Sequence, residues 1–124
     1  MRVISTKAHG VLDYMMGLLL IAAPWLFGFA NGGAEQWVPV VLGAGAILYS
    51  LLTNYEMGAV KTISMSTHLT VDLMSGILLA ASPWIFGFAD TVYLPHLILG
   101  IAEIGASLMT QKHPSGNLNR ATTR

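Results

Sequence analysis

A long apolar segment occurs twice in this chain, and this repeat constrains the fold more than any other feature. Residues 9–30 read HGVLDYMMGLLLIAAPWLFGFA and residues 68–89 read HLTVDLMSGILLAASPWIFGFA, with 13 of 22 positions identical at a constant offset of 59. An internal repeat sets the architecture of a chain, because each copy builds the same structural unit. We therefore expect two copies of one helical unit.

The composition of the chain indicates a membrane protein. Hydrophobic residues make up 54% of the 124 residues and charged residues only 10%, whereas a soluble domain carries about 25% charged residues. Segments 14–34 and 73–89 contain no charged residue, so they lack the polar face that a soluble helix needs. The formal net charge of zero excludes a basic nucleic-acid-binding surface. The absence of cysteine excludes disulfides and thiolate metal sites.

The sequence predicts an all-α membrane protein with four transmembrane helices. A helix needs about 20 apolar residues to cross the hydrocarbon layer. The predicted spans are about 9–29, 37–53, 68–88 and 93–110. Because each repeat contains two spans, the two hairpins enter the membrane in the same direction and form parallel repeats.

These spans define the expected domain organisation. We expect one four-helix transmembrane domain over 1–112, with repeat 1 at about 5–53 and repeat 2 at about 64–110. Residues 113–124 are polar and lack periodicity, which predicts a disordered tail.

The basic residues predict the orientation in the membrane. All six lie in the N-terminal segment, the central connector or the tail: Arg2, Lys7, Lys61, Lys112, Arg120 and Arg124. The two hairpin loops carry only the acidic residues Glu35 and Asp90. Positively charged segments stay on the cytoplasmic side. We therefore expect a multi-pass protein of the plasma membrane with both termini in the cytoplasm.

A Pro-Trp pair followed by Phe-Gly-Phe ends each copy of the repeat. Pro24 and Pro83 lie inside apolar helices, where proline removes a backbone hydrogen bond and kinks the helix. We expect Trp25 and Trp84 to lie in the aromatic belt at the outer interface, together with the phenylalanines that follow them. A binding feature at the kink is the alternative interpretation.

Histidine and aspartate lie one helical turn apart in both copies, as His9–Asp13 and His68–Asp72. Residues four apart share one helix face. Glu103 lies at a similar depth, about 10 Å from the cytoplasmic end of the fourth span. Since ionisable residues inside a membrane are costly and often functional, these five residues form a candidate polar layer.

The chemistry of this layer leaves several interpretations open. Two imidazoles and two carboxylates can bind a divalent metal such as zinc, manganese or iron. Histidine can also relay protons, because it titrates near neutral pH. A haem between the two histidines is conceivable, and a purely structural role needs only hydrogen bonds from each aspartate to a histidine, a tyrosine or a helix end.

Residues near the predicted cytoplasmic edge have simpler interpretations. Ser5 and Ser64 align at offset 59, and we expect each to cap a helix by accepting a backbone N–H. We expect Tyr49, Tyr55 and Glu56 to be interfacial and connector residues rather than part of a site.

The motif that gives each copy its Pro-Trp pair resembles the SPW repeat family of small prokaryotic membrane proteins. Residues 82–84 read Ser-Pro-Trp and residues 23–25 read Ala-Pro-Trp, so a serine hydroxyl is not essential in both copies. The resemblance covers nearly all of 1–112, including the His–Asp spacing, the Phe-Gly-Phe motifs and the TNYE sequence at 53–56. It implies two hairpins with four spans, and it implies no reaction and no catalytic residues.

We favour a non-enzymatic membrane scaffold or accessory subunit, in contact with the lipid bilayer and with further copies of itself or another membrane protein. A small ion, proton or solute transporter acting as an oligomer is one alternative. A metal- or haem-binding protein that uses the paired His/Asp motifs is another. No cofactor is expected in the favoured case, and the chain has no cysteine, nucleophile elbow or Walker loop for catalysis.

Overall fold

The structure, a computed structural model, describes residues 2–112 as four α-helices, which confirms the all-helical class. The helices are α1 (Thr6–Leu26), α2 (Ala34–Leu51), α3 (Met65–Ile85) and α4 (Leu94–Met109). Helix α1 packs against α2, α3 packs against α4, and α2 joins the two hairpins through contacts with α3. The predicted tail at 113–124 lies outside the described residues.

Equivalent serines begin α1 and α3. The Ser5 hydroxyl accepts a hydrogen bond from the Ala8 backbone N–H at 3.1 Å, and the Ser64 hydroxyl accepts one from Thr67 at 3.2 Å. Each bond satisfies an N–H that has no partner within the helix, as predicted. Both helices therefore start three residues before the predicted membrane spans, and the histidine of each copy lies one turn inside its helix.

A glycine ends α1 and turns the chain sharply. Gly28 has a φ of 75°, a conformation that glycine adopts at little cost. The backbone N–H of Phe29 then donates to the carbonyl oxygen of Pro24 at 2.8 Å, which is the pattern of a Schellman cap. The same φ and the same bond recur 59 residues later at the end of α3. This cap explains why α1 and α3 end before the predicted limits of their spans.

The two phenylalanines of each Phe-Gly-Phe motif point in opposite directions, which corrects the expectation that both lie in the outer belt. Phe27 is exposed, whereas Phe29 and its repeat counterpart Phe88 are each only 5% exposed. Their rings both contact the buried His96, with centroid distances of 4.9 and 4.8 Å. The glycine between them reverses the side-chain direction, so the second phenylalanine closes the interior at this end of the bundle.

Glycines allow the helices of each hairpin to approach closely. A Cβ on Gly43 would lie 2.6 Å from the carbonyl oxygen of Gly17 in α1. In the second hairpin, a Cβ on Gly76 would lie 3.0 Å from the carbonyl oxygen of Gly100. Small residues at such positions let helix backbones contact each other inside a membrane.

Two short backbone pairings tie each hairpin to the other. Ile4, before α1, pairs with Thr110 at the end of α4, and Ile63, before α3, pairs with Thr53 at the end of α2. The start of each hairpin therefore meets the end of the other hairpin. These pairings also place both threonines at the polar end of the bundle.

Polar side chains fill much of the interior, and apolar side chains cover the outside. Among residues 2–112, buried polar and charged residues outnumber buried hydrophobic ones. Met15, Leu18, Val41 and Met74 are each 62% exposed. This is the reverse of the distribution in a water-soluble protein. By length and composition, α1 and α3 can each cross a membrane, and α4 is apolar but shorter.

Candidate functional site

Two histidines and two aspartates meet in the buried interior between α1 and α3. His9 and Asp13 come from α1, and His68 and Asp72 come from α3. One ligand atom from each residue lies within 4.8 Å of the others, and all four residues are buried. Because each His–Asp pair shares one helix face, two copies of the same helix present the same chemistry to a common centre. We call these four residues the polar centre.

Each histidine contacts both carboxylates through its Nε2 atom. His9 Nε2 lies 2.7 Å from Asp72 Oδ2 and 3.0 Å from Asp13 Oδ1. His68 Nε2 lies 2.9 Å from Asp13 Oδ2 and 3.1 Å from Asp72 Oδ2. The His9–Asp72 contact has hydrogen-bond geometry, whereas neither carboxylate lies in line with Nε2 of His68. The four side chains therefore converge on one centre instead of forming two separate pairs.

The other ring nitrogen of each histidine faces a threonine. His9 Nδ1 lies 2.7 Å from Thr110 Oγ1, and that hydroxyl lies 2.5 Å from the carbonyl oxygen of Ala106. His68 Nδ1 lies 2.6 Å from Thr53 Oγ1, which likewise donates to the carbonyl four residues earlier. A hydroxyl has one proton to donate. Since each threonine donates to a carbonyl, it accepts a hydrogen bond from the Nδ1–H of its histidine.

This assignment of protons determines what must lie between each Nε2 atom and the carboxylates. A neutral imidazole that carries its proton on Nδ1 has a bare lone pair on Nε2. In both histidines that lone pair would face the oxygens of two carboxylates. The arrangement is satisfied by a proton on each Nε2 or by a cation at the shared centre.

Two tyrosines complete the hydrogen bonding of the carboxylates, which corrects their assignment as interfacial and connector residues. The Tyr49 hydroxyl donates to Asp72 Oδ1, and the Tyr55 hydroxyl donates to Asp13 Oδ2 at 2.6 Å. Burial and the nearby Asp13 carboxylate raise the pKa of the Tyr55 hydroxyl well above its usual range. Tyr55 therefore remains a protonated donor at any physiological pH.

Glu103 lies beside the polar centre but forms no ion pair with either of its histidines. It lines a cleft of about 460 Å³ that is also bordered by His9, Asp13 and Asp72. The Glu103 side chain is 8% exposed, and its Oε2 atom has no hydrogen-bond partner among the described residues. The structure thus places the fifth residue of the predicted layer on a cleft wall, next to the other four.

The Pro-Trp pairs lie away from this site, at the other ends of α1 and α3. Twelve residues separate Asp13 from Trp25, which is about 18 Å along a helix. Trp25 and Trp84 are 60% and 56% exposed, a degree of exposure that fits an interfacial position. Pro24 and Pro83 lie near the helix ends and help to form the Schellman caps. These four residues form no part of the polar centre.

Sequence reasoning missed the two threonines and both tyrosines. Thr53 and Thr110 match at an offset of 57 in the second helix of each repeat, and this recurrence was an available signal. Tyr49 and Tyr55 have no tyrosine at the corresponding positions of repeat 2, which are Ala106 and Lys112.

A family model of the SPW repeat domain matches residues 7–110. The chain belongs to the SPW repeat family. The match confirms the resemblance seen in the sequence, and the SPW family suggests a membrane protein of unknown function. No curated protein and no solved structure matches the chain significantly. In this SPW protein the polar centre is built from the His–Asp half of each repeat, not from the Pro-Trp half.

Proposed function

We propose that the protein is a four-span membrane protein that binds a divalent metal ion at its polar centre. The observation that carries this proposal is the convergence of two Nε2 atoms and two carboxylates within 4.8 Å. Metal-binding histidines commonly donate their second ring N–H to an oxygen acceptor. Thr53 and Thr110 provide such acceptors for both histidines.

The spacing of the four residues suits a metal ion. Zinc binds nitrogen and oxygen ligands at about 2.0–2.2 Å, so tetrahedral ligand atoms lie about 3.4 Å apart. The His–Asp contacts of 2.7–3.1 Å need to lengthen by about half an ångström to reach this spacing, and any ligand atoms near the 4.8 Å limit of the group need to approach each other. Two carboxylates also balance the charge of a divalent cation, which favours its burial in apolar surroundings.

The donor set favours zinc, manganese or iron, since imidazole and carboxylate ligands suit these ions and no thiolate is present. Haem fits less well. The rings of His9 and His68 lie edge to face at 5.6 Å, and both Nε2 atoms already contact the same carboxylates. A porphyrin needs space between its two axial ligands.

Metal analysis of the full-length protein, purified in a mild detergent, tests this proposal. We expect about one zinc, manganese or iron ion per chain. His68→Gln and Asp72→Asn remove ligands and should lose the metal. His96→Gln is the matched control, because His96 is a buried histidine outside the polar centre. The proposal is wrong if wild-type protein from metal-supplemented cells contains no metal, or if the two ligand variants retain it.

A metal at this position has a structural role that agrees with a scaffold or accessory subunit. The four ligands come from α1 and α3, so the ion joins the two hairpins. We expect a chelator to lower the unfolding temperature of the wild type, because removing a bound ligand destabilises the native state. The same chelator should leave the unfolding temperature of Asp72→Asn unchanged. A chelator effect of equal size on both proteins would contradict the structural role.

The four-span topology is supported by the apolar exterior and by the placement of charge. Arg2, Lys7, Lys61 and Lys112 all lie in segments at the end of the bundle where the two hairpins pair, whereas Asp90 lies in a loop at the opposite end. In the proposed orientation the polar centre is near the cytoplasmic face.

The absence of native cysteine makes this orientation easy to test. An impermeant maleimide applied to intact cells should label Asp90→Cys, and it should label Lys61→Cys only after the membrane is opened. Labelling in the reverse order would overturn the orientation.

A further inference from the structure

A cleft between α1 and α4 breaks the symmetry of the helix bundle. Within residues 2–112 the closely packed helix pairs are α1–α2, α3–α4 and α2–α3. By the repeat, the α4–α1 side corresponds to the α2–α3 side. One side is closed by helix packing, whereas the other contains the cleft of about 460 Å³ beside the polar centre.

Two substitutions between the repeats account for this difference. On the closed side, the Tyr49 ring packs against His68 with centroids 4.8 Å apart. The matching position in repeat 2 is Ala106, a cleft-lining residue with only a methyl group. The position that matches Glu103 is Ala46, which borders the same cleft. Repeat 2 therefore has a methyl group where repeat 1 has a large ring and, one turn away, a carboxylate where repeat 1 has a methyl group.

The lining of the cleft is apolar along most of its length and acidic at one end. The apolar lining includes Leu12, Met15, Met16, Leu19, Ala102 and Ala106. The polar end has His9, Asp13, Asp72 and Glu103. Apolar clefts of roughly 300–1,000 Å³ with a few polar groups are typical small-molecule sites.

Glu103 identifies the chemistry of the ligand. Asp13 and Asp72 are hydrogen-bonded by tyrosines and contacted by histidines. In contrast, the buried Oε2 atom of Glu103 has no hydrogen-bond partner in the described chain. A buried acceptor without a partner costs free energy. A ligand that fits this end must donate a hydrogen bond to Glu103, and a carboxylate favours a cationic donor.

We propose that this cleft binds a single-chain amphiphilic amine, with the nitrogen on Glu103 and the apolar chain along α1. An ammonium group donates a hydrogen bond to a carboxylate, and a neutral amine accepts one from a carboxylic acid. A hydrogen bond therefore forms in a low-dielectric cleft in either protonation state. A phospholipid fits less well, because its ionised phosphate has no proton to donate to Glu103 and the two negative charges repel each other. The bond to Glu103 does not require the proposed metal, since Glu103 is not one of the four proposed ligands, although His9, Asp13 and Asp72 border both sites.

Native mass spectrometry of the full-length, detergent-purified protein tests the proposal with decylamine and 1-decanol, which share one alkyl chain. We expect one decylamine to be retained per chain and decanol to be retained much less. Glu103→Gln keeps the shape of the side chain and should weaken decylamine binding by about tenfold or more, the effect of losing a hydrogen bond to a charged group. Glu35→Gln, a buried glutamate at the opposite end of the bundle, should bind like the wild type.

A second variant tests the space in the cleft separately from the Glu103 carboxylate. Ala106→Tyr introduces the residue found at the matching position of repeat 1, which fills the cleft while Glu103 is retained. It should abolish binding of decylamine. Equal retention of decanol and decylamine, or unchanged decylamine binding by Glu103→Gln, would overturn the proposal. A wild-type dimer that Ala106→Tyr dissociates would also overturn it, because a second copy of the chain would then occupy the cleft.

Discussion

The first helices of the two hairpins are near copies of each other, whereas the second helices differ where they face the polar centre. Helices α1 and α3 have the same length, the same serine cap, the same His–Asp pair and the same glycine-ended C-terminus. Helices α2 and α4 share their glycine contact and their terminal threonine, but one has Tyr49 where the other has Ala106. The symmetric helices therefore build the polar centre, and the asymmetric helices determine how closed each side of it is.

The largest expected effect comes from breaking the symmetric part. Asp13→Asn and Asp72→Asn each remove a carboxylate that contacts both histidines. Removing one partner from a buried ion pair typically costs about 3–5 kcal/mol. We expect both variants to lose this much free energy of unfolding, measured by titration with a denaturing detergent in mixed micelles. A loss in only one of them would show that the two aspartates do not contribute equally to the free energy of unfolding.

The tyrosines extend the comparison, because neither Tyr49 nor Tyr55 has a tyrosine at the matching position 57 residues later. Tyr49→Phe and Tyr55→Phe each remove a hydrogen bond to a buried carboxylate. Hydrogen bonds to charged groups contribute about 1.5–3 kcal/mol, and we expect losses in that range by the same unfolding titration. Tyr93→Phe is a suitable control, since Tyr93 lies at the opposite end of the bundle. Wild-type stability in both tyrosine variants would remove them from the centre.

The glycine contacts test whether the two hairpins pack alike. Gly43→Ala and Gly100→Ala place a Cβ against the backbone of the neighbouring helix, and overpacking of this kind costs about 1–3 kcal/mol. Gly45→Ala is the control, because its Cβ meets no atom within 4 Å and alanine favours the helix by up to about 1 kcal/mol. A destabilising Gly45→Ala, or a neutral Gly43→Ala, would contradict the described contact.

The helix caps should show the smallest effect. Ser5→Ala and Ser64→Ala each remove one hydrogen bond to a backbone N–H at the start of α1 or α3. Loss of a serine cap costs about 1 kcal/mol, and the two variants should differ little in their unfolding titrations. Ser66→Ala, one residue inside α3, provides a control without a cap bond.

The repeat in the sequence is sufficient to predict the helical hairpins and the register of the His–Asp pairs. Residues four apart share a helix face, so His9 and Asp13 lie on one face of α1. The repeat then predicts the same arrangement for His68 and Asp72 in α3. Whether the two pairs also meet depends on how each helix is rotated about its axis. Sequence periodicity does not fix that rotation here, because apolar residues cover the outside of α1 and α3 and also lie at buried positions such as Leu20 and Leu79.

The tyrosines and the inward phenylalanines escaped prediction for different physical reasons. Tyr49 and Tyr55 occupy positions without a repeated partner, and an aromatic residue near a membrane edge usually has an interfacial role. Phe29 turns inward because of the positive φ at Gly28. If α1 is instead assumed to continue through Gly28, the side chain of Phe29 is predicted to point outward. A glycine directly after a proline-containing helix end was the signal for the Schellman cap.

The crossed pairings of Ile4 with Thr110 and of Ile63 with Thr53 make the two hairpins depend on each other for the polar centre. Each histidine takes its threonine and one of its aspartates from the opposite repeat, so one hairpin alone holds only half of the centre. Two identical hairpins related by a two-fold axis would exchange the same segments and build the whole centre. Because both halves lie on one chain, they need not be identical, and the centre has Tyr49 on one side and Ala106 on the other.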